Sequence, residues 1–535
     1  MPKTSPLPSR LILSALVGLA LCAVPQAAEA APKLLAPRAM AEKHTGRELP
    51  ADTFVERLVV KFHEGSRVRL RGGRLTALSV ERGAAERGLL ASRGLSEARL
   101  QASISSTEAL LERAPRIGAL ARHFDEDEAT LEARKASGEE LSGQQLADLN
   151  LYFEVPLLPG TTAERVAELV ARLNALEGVE VAYAEPPPEP AMVNFGMDAA
   201  VRSLLAAADI APTTPLYEAN QGYLNTAPGG IDAKYAWTVG GGKGLNVKVV
   251  DIEGGWRTTH EDMPALFTQI GTQYNDIGWR NHGTAVLGEI VGVANAYGVT
   301  GIANQAQAGV SSVGSQSSAT AISKAATAAG LGGVILIELH SQGPSDGTAC
   351  TCNTAQCNYI AMEYWQANYD AIATATANGV VVVEAAGNGS ANLDSSAYGT
   401  AFNRTVRDSG AIIVGASTST TRVPMCWTNY GSRVDVHGWG EKVYSMGYGA
   451  LFGSAYGENQ FYTATFSGTS SASPIITGAA ASAQGVALAN GRRLTSKQMR
   501  GVLSGNGTAQ AADSRKIGSL PDLRKVLPKV IAGTY

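Results

Sequence analysis

Apolar positions change period several times along this 535-residue chain. Behind Lys3 and Arg10 an unbroken apolar run, Leu11 to Val24, leads to Ala28-Glu29-Ala30; residues 1–30 read as an export signal with a small-residue cleavage site. Arg57-Leu58-Val59-Val60-Lys61-Phe62 reads as a strand, and the Arg- and Glu-rich stretch from about 80 to 150 as amphipathic helices. Leu151 to Val155 is again strand-like. Thr162 to Leu173 has the helical period behind its own N-cap, and Val179 to Glu185 returns to strand. Pro186-Pro187-Pro188-Glu189-Pro190 then predicts an end to regular structure and a stiff linker. From about residue 230, strands alternate with helices: Val247–Asp251, a segment near Gly309–Val313, Gly333–Leu339, Val380–Glu384, Ala411–Gly415 and Val434–Val436, with a last helix from Arg515 to Val526. This alternation predicts an α/β doubly wound parallel sheet over 220–535, preceded by a small α+β domain over 31–190 and a linker over 191–219.

Charge sharpens the boundary. The first part is dense in Arg and Glu and the second is rich in Gly, Ala, Ser, Thr and Tyr. That contrast fits a detachable helper ahead of a compact enzyme. The 44 Lys and Arg nearly balance the 48 Asp and Glu, so there is no polybasic footprint and nucleic acid is not an expected partner. Beyond the export signal no apolar run reaches the ~20 residues that span a bilayer, so no membrane anchor is expected. The chain is expected to be secreted and monomeric.

Candidate chemistry begins at Gly468-Thr469-Ser470-Ser471-Ala472-Ser473-Pro474, a small-residue turn running into an Ala-rich helix. It holds a serine hydroxyl where the N–H groups of a helix start can stabilise an oxyanion. Such a serine needs a base and an acid that orients the base. Asp251 closes a predicted strand. His282 lies in Asn281-His282-Gly283-Thr284-Ala285-Val286, which reads as a turn opening a helix with His in its first turn. Val380 to Asn388 is a strand followed by an Asn.

The order Asp251, His282, Asn388, Ser470, each in its own motif, resembles the subtilisin-like serine peptidases over roughly residues 220 to 530. The resemblance implies a serine endopeptidase made as a zymogen, acting on protein or peptide substrates through an acyl-enzyme. Ser470 would be the nucleophile, His282 the base, Asp251 the orienting acid, and Asn388 with the Ser470 N–H the oxyanion donors. The alternative is a silent binding or scaffold protein on the same fold. Residues 31–190 resemble the family's propeptide, which implies an intramolecular inhibitor whose tail enters the cleft, with maturation cleavage between 187 and 220. His340, Ser341, Gln342 and Gly343 occupy the place of the family's substrate-binding strand, which pairs with an extended peptide. Asp262 matches a calcium ligand of the family, and the loop carrying Val293, Asn295, Tyr297 and Val299 has the length of its calcium loop, so a structural calcium is expected; no cofactor is needed for the chemistry.

Two features depart from that pattern or leave options open. Acids stand at Glu253, Glu338 and Glu384 where apolar or neutral residues are expected, and buried carboxylates must be paired, hydrated or protonated. If the strand ending at Asp251 continues, alternation turns Glu253 to the same side. After export, Cys350, Cys352, Cys357 and Cys426 allow three disulfide pairings, with structural zinc as the alternative.

Overall fold

The computed structural model describes residues 1–3, 35–43, 49–193 and 213–535. The expected export signal and most of the expected linker lie outside them. Leu35–Tyr535 form one compact unit.

Its centre is a nine-stranded sheet in the order Gly507–Ala509, Ser519–Pro521, Val436–Trp439, Ile412–Ser417, Val381–Ala385, Val334–Ile337, Lys248–Glu253, Gln307–Ser312, Thr268–Ile270. All neighbours are parallel except the first pair. The inner strands are runs of Val, Ile and Leu because both faces are covered. Val249, Leu336, Val381 and Val383 pack with Ile475 and Ala479 of the Thr469–Ala489 helix. Val250, Ile252, Ile335, Ile337 and Val382 pack with the helices Ser318–Ala329 and Gln366–Ala377. From Lys248–Glu253 the chain first builds outward through 268–270 and 307–312, then recrosses to 334–337 and continues the other way. The carboxyl ends of these central strands therefore flank a switch in winding direction, where open α/β sheets hold their ligands.

The leading segment has its own antiparallel sheet, Ala121–Arg122, Tyr152–Pro156, Arg57–Phe62, Val179–Glu185. One face, with Leu58, Val60, Phe153 and Val155, closes over its own helices through Leu100, Ile104, Val166 and Leu173. The other face, with Val59, Tyr152, Val181 and Tyr183, packs on Ala367 and Ala371 of the helix Gln366–Ala377. Tyr152 donates its phenol to Asp370 Oδ2 at 2.5 Å, and the Ala367 N–H donates to the Tyr183 oxygen.

Several elements depart from the periodicity. The central strand runs on to Glu253. The helix bearing His282 starts at Ile277, five residues before it, because Asp276 caps it by accepting from the Gly278 and Trp279 N–H groups. The Pro-rich stretch does not end regular structure: Glu189–Pro190 is a strand. A strand at Ser519–Pro521 takes the start of the expected final helix, which spans Leu523–Ala532 with Asp522 as its cap. The cysteines pair as Cys350–Cys357 and Cys352–Cys426.

Candidate active site

Ser470 is the second residue of the Thr469–Ala489 helix, where the first N–H groups have no helical acceptor. The Thr469 N–H donates to Asn388 Oδ1 at 2.9 Å, and the Ser470 N–H donates to the carbonyl of Ala191 at 3.1 Å. Gly468 has φ +109°, and a Cβ there would lie 2.4 Å from that same carbonyl oxygen. Glycine is what lets the 191 backbone come this close.

Ala191 reaches the site at the end of an extended tail. Glu189 and Pro190 pair antiparallel with His340 and Leu339 on the edge of the Leu339–Gln342 strand, whose other edge pairs with Tyr359–Ala361. Around the tail, Tyr359 donates its phenol to Glu189 Oε1 at 2.8 Å, Ser341 Oγ donates to the Pro187 carbonyl, and Gln356 Nε2 donates to the Pro190 carbonyl. Beyond Ala191, Ser467 Oγ donates to the Val193 carbonyl at 3.1 Å. The Ala191 side chain is wholly buried. Of the expected substrate strand, His340 and Ser341 touch the tail directly or by pairing, while the Gly343 N–H is taken by the Asn358 carbonyl.

His282 and Ser470 come from different helices, and both are fully buried. His282 Nδ1 is 2.5 Å from Glu253 Oε1, whereas Asp251 Oδ2 accepts from the Trp256 indole N–H at 2.8 Å. The acid on the imidazole is therefore Glu253, a correction to the expected Asp251. The two alternate on one side of the same strand, but the end position and the longer side chain carry Glu253 to the ring. Neither His282 Nε2 nor Ser470 Oγ has a hydrogen-bond partner, so base and nucleophile are not joined by a hydrogen bond here. Asn388 holds its oxygen on the Thr469 N–H and hydroxyl, which aims its amide nitrogen at the cleft; there Nδ2 donates to Gln356 Oε1 at 3.3 Å.

The electrostatics are set by burial. Asp251, Glu253, Glu289 and Glu338 are fully buried, and burial, reinforced by neighbouring carboxyls for all but Glu253, pushes each far above the usual carboxylate range. Burial also lowers His282 to about 3. Burial disfavours a charge on either partner alone, but at 2.5 Å a carboxylate on Glu253 and a proton on Nδ1 support each other as an acid–base pair. Glu384 is elsewhere: its Oε1 accepts from the Glu363 N–H, and Glu363 is paired with the buried Arg433.

Of the expected calcium ligands, Asp262, Asn295 and Val299 come together through hydrogen bonds. Asp262 Oδ1 accepts from Asn295 Nδ2 and Oδ2 from the Val299 N–H, both at 2.7 Å. Asn295 turns its own oxygen to the Tyr297 N–H. N–H donors thus reach both carboxylate oxygens.

Sequence reasoning missed Gln356 and Tyr359. Both belong to or follow the Cys-rich insertion, and the only signal was the position of that insertion directly after the substrate strand.

Residues 244–519 match the subtilase (Peptidase_S8) family. No curated protein matches the sequence. Among solved structures, fervidolysin from Fervidobacterium pennivorans, a keratinolytic enzyme related to subtilisin, is 14% identical with a TM-score of 0.51; the match covers 92% of this chain and 65% of that one. Proteases from Pseudoalteromonas arctica are 21% identical, with a TM-score of 0.44 and coverage of 60% and 100%. A cold adapted subtilisin-like serine proteinase is 23% identical, with a TM-score of 0.37 and coverage of 52% and 91%.

Proposed function

Because the chain belongs to the subtilase family and is a serine-type peptidase, we propose that it is a secreted endopeptidase made as a zymogen, and that its first substrate is its own Ala191–Met192 bond. The observation that carries this reading is the Ala191 carbonyl lying 3.1 Å from the N–H of Ser470, the position a scissile carbonyl takes at an oxyanion donor.

In the first step the Ser470 Oγ–H bond gives its proton to His282 Nε2 while Oγ bonds to the Ala191 carbonyl carbon. The resulting oxyanion takes the Ser470 N–H and, as Asn388 Nδ2 leaves Gln356, a second donor. Glu253 accepts from His282 Nδ1–H, which keeps Nε2 as the base and steadies the imidazolium. His282 next protonates the Met192 nitrogen as the C–N bond breaks, freeing the mature chain as the amine product. Water, deprotonated by His282, cleaves the ester to an Ala191 carboxylate and restores Ser470.

The enclosed Ala191 side chain supports substrates with a small residue before the scissile bond, and the edge pairing supports an extended peptide backbone N-terminal to it. Residues 31–190 act as the intramolecular inhibitor, a reading supported by their tail filling the strand edge a substrate needs. Two disulfides and the N-terminal apolar run support an oxidising, exported destination.

The test is expression of the precursor alone in a protease-deficient host. The wild type should release a helper fragment ending at Ala191, while Ser470→Ala stays intact and loses labelling by a fluorophosphonate probe. Maturation of Ser470→Ala, or a helper fragment that runs through Met192 uncut, would overturn the reading.

A further inference from the structure

Glu338 directly follows the Val334–Ile337 strand at the switch point of the sheet, and the reaction above makes no use of it. It is fully buried; its Oε2 lies 2.5 Å from Ser473 Oγ, one turn beyond the nucleophile. The same hydroxyl lies 2.7 Å from the Thr469 carbonyl. Ser473 has one proton for two oxygen neighbours, and a carbonyl can only accept. Its proton therefore goes to Thr469, and the contact with Glu338 is closed by a carboxylic O–H donating to Ser473 Oγ. The other assignment, an ionised Glu338 taking the serine proton, leaves a buried anion whose Oε1 has no partner.

The Ser473 and Ser470 hydroxyls could donate to that anion, but the carboxyls that face it all oppose it. Asp251 and Glu253 face Glu338 from the central strand and Glu289 from the Ile277–Val291 helix, which also carries His282; the nucleophile and Ser473 face it from the Thr469–Ala489 helix. His340 lies just beyond on the following strand and is itself held neutral by burial. Among the described residues, none of these four carboxyls is ion-paired with Lys or Arg, the one ion-pair contact being Glu253 with His282.

Building on the serine-peptidase reading, we propose that Glu338 is a positioning residue used in its neutral form, a carboxylic acid that keeps negative charge away from Ser470 and whose ionisation switches the nucleophile off from the alkaline side. An anion buried beside Ser470 would oppose the oxyanion that forms on the substrate, in surroundings where charge is poorly screened. As a neutral acid it adds no charge, and it leaves the base free of the carboxylate that would hold His282 protonated. The working form thus exists below the ionisation of Glu338 and is lost above it.

The experiment is kcat/KM against pH for the mature wild type, Glu338→Gln and Ser473→Ala, on a peptide carrying Pro-Ala before the scissile bond. Glu338→Gln should move the alkaline limb up by at least a pH unit, because the titrating group is gone. Ser473→Ala should also move it up, because the ionised acid loses the hydroxyl that can donate to it. An unmoved limb in Glu338→Gln, or a downward shift in Ser473→Ala, overturns the proposal. Should Glu338→Gln fail to fold, the Ser473→Ala shift decides alone. Hydrolysis that persists in Ser470→Ala would instead strike the peptidase reading on which the proposal rests.

Discussion

Exchanging the two acids of the central strand separates the acid that orients the imidazole from the one that does not. In Glu253→Gln the amide cannot hold the imidazolium as a carboxylate does, and it can donate to Nδ1, favouring the tautomer whose Nε2 carries a proton. With Nε2 protonated, Ser470 has no base. Loss of the orienting acid in other triads lowers turnover by about 10⁴-fold, or about 5.4 kcal/mol at 1.36 kcal/mol per decade, and Glu253 contacts Nδ1 at 2.5 Å. Asp251→Asn keeps an oxygen for the Trp256 N–H, so its kcat should fall less than about tenfold, the scale of a single neutral hydrogen bond. The assay is single-turnover hydrolysis of a chromogenic peptide by variants matured in trans with a trace of wild-type enzyme, normalised to folded protein by circular dichroism. Equal losses, or the larger loss in Asp251→Asn, would refute the assignment of Glu253.

Asn388→Ala should cut kcat by about 10²–10³-fold with KM little changed, since its amide acts on charge that develops in the transition state; a loss confined to KM in steady-state kinetics counts against it. Chelation of calcium should leave the melting temperature unchanged, because N–H donors already satisfy Asp262; a fall on adding EDTA, reversed by calcium, restores the cation site. Glu384 is raised from 4.5 to about 8 in the fold, so the folded state binds the extra proton between those values and stability drains as pH rises through that window. Melting curves of Glu384→Gln should lose that part of the pH slope while the activity profile keeps its limbs; a shifted limb would tie Glu384 to the reaction.

How much of this was legible in the sequence depended on the kind of information each element carries. The inner parallel strands Lys248–Glu253, Val334–Ile337 and Val381–Ala385 could be read within about two residues because burial on both faces leaves continuous Val and Ile runs. The short outer strands Thr268–Ile270 and Ser519–Pro521 were not read. Ser470, His282 and Asn388 could be found because each stands in a short motif set by backbone geometry. The acid could not, since Asp251 and Glu253 share a face and only the true end of the strand decides which reaches the ring. The Pro-rich tail was misread because its order comes from outside, through pairing of Glu189 and Pro190 with an edge strand more than 140 residues away. For the Asp262 loop, spacing places Asn295 near the carboxylate but does not say whether its oxygen or its nitrogen points inward.

The tail that seats Ala191 belongs to the same molecule as Ser470, and on the proposed reading this sets how maturation would scale. Cleavage in cis would be first order, so the half-time of processing should not change when the precursor is diluted. After such a cut the helper would be a separate body, held by contacts such as Tyr152 with Asp370, and its rebinding would be second order. One strand edge would then serve as a concentration-independent clock for cutting and a dilution-sensitive gate for release.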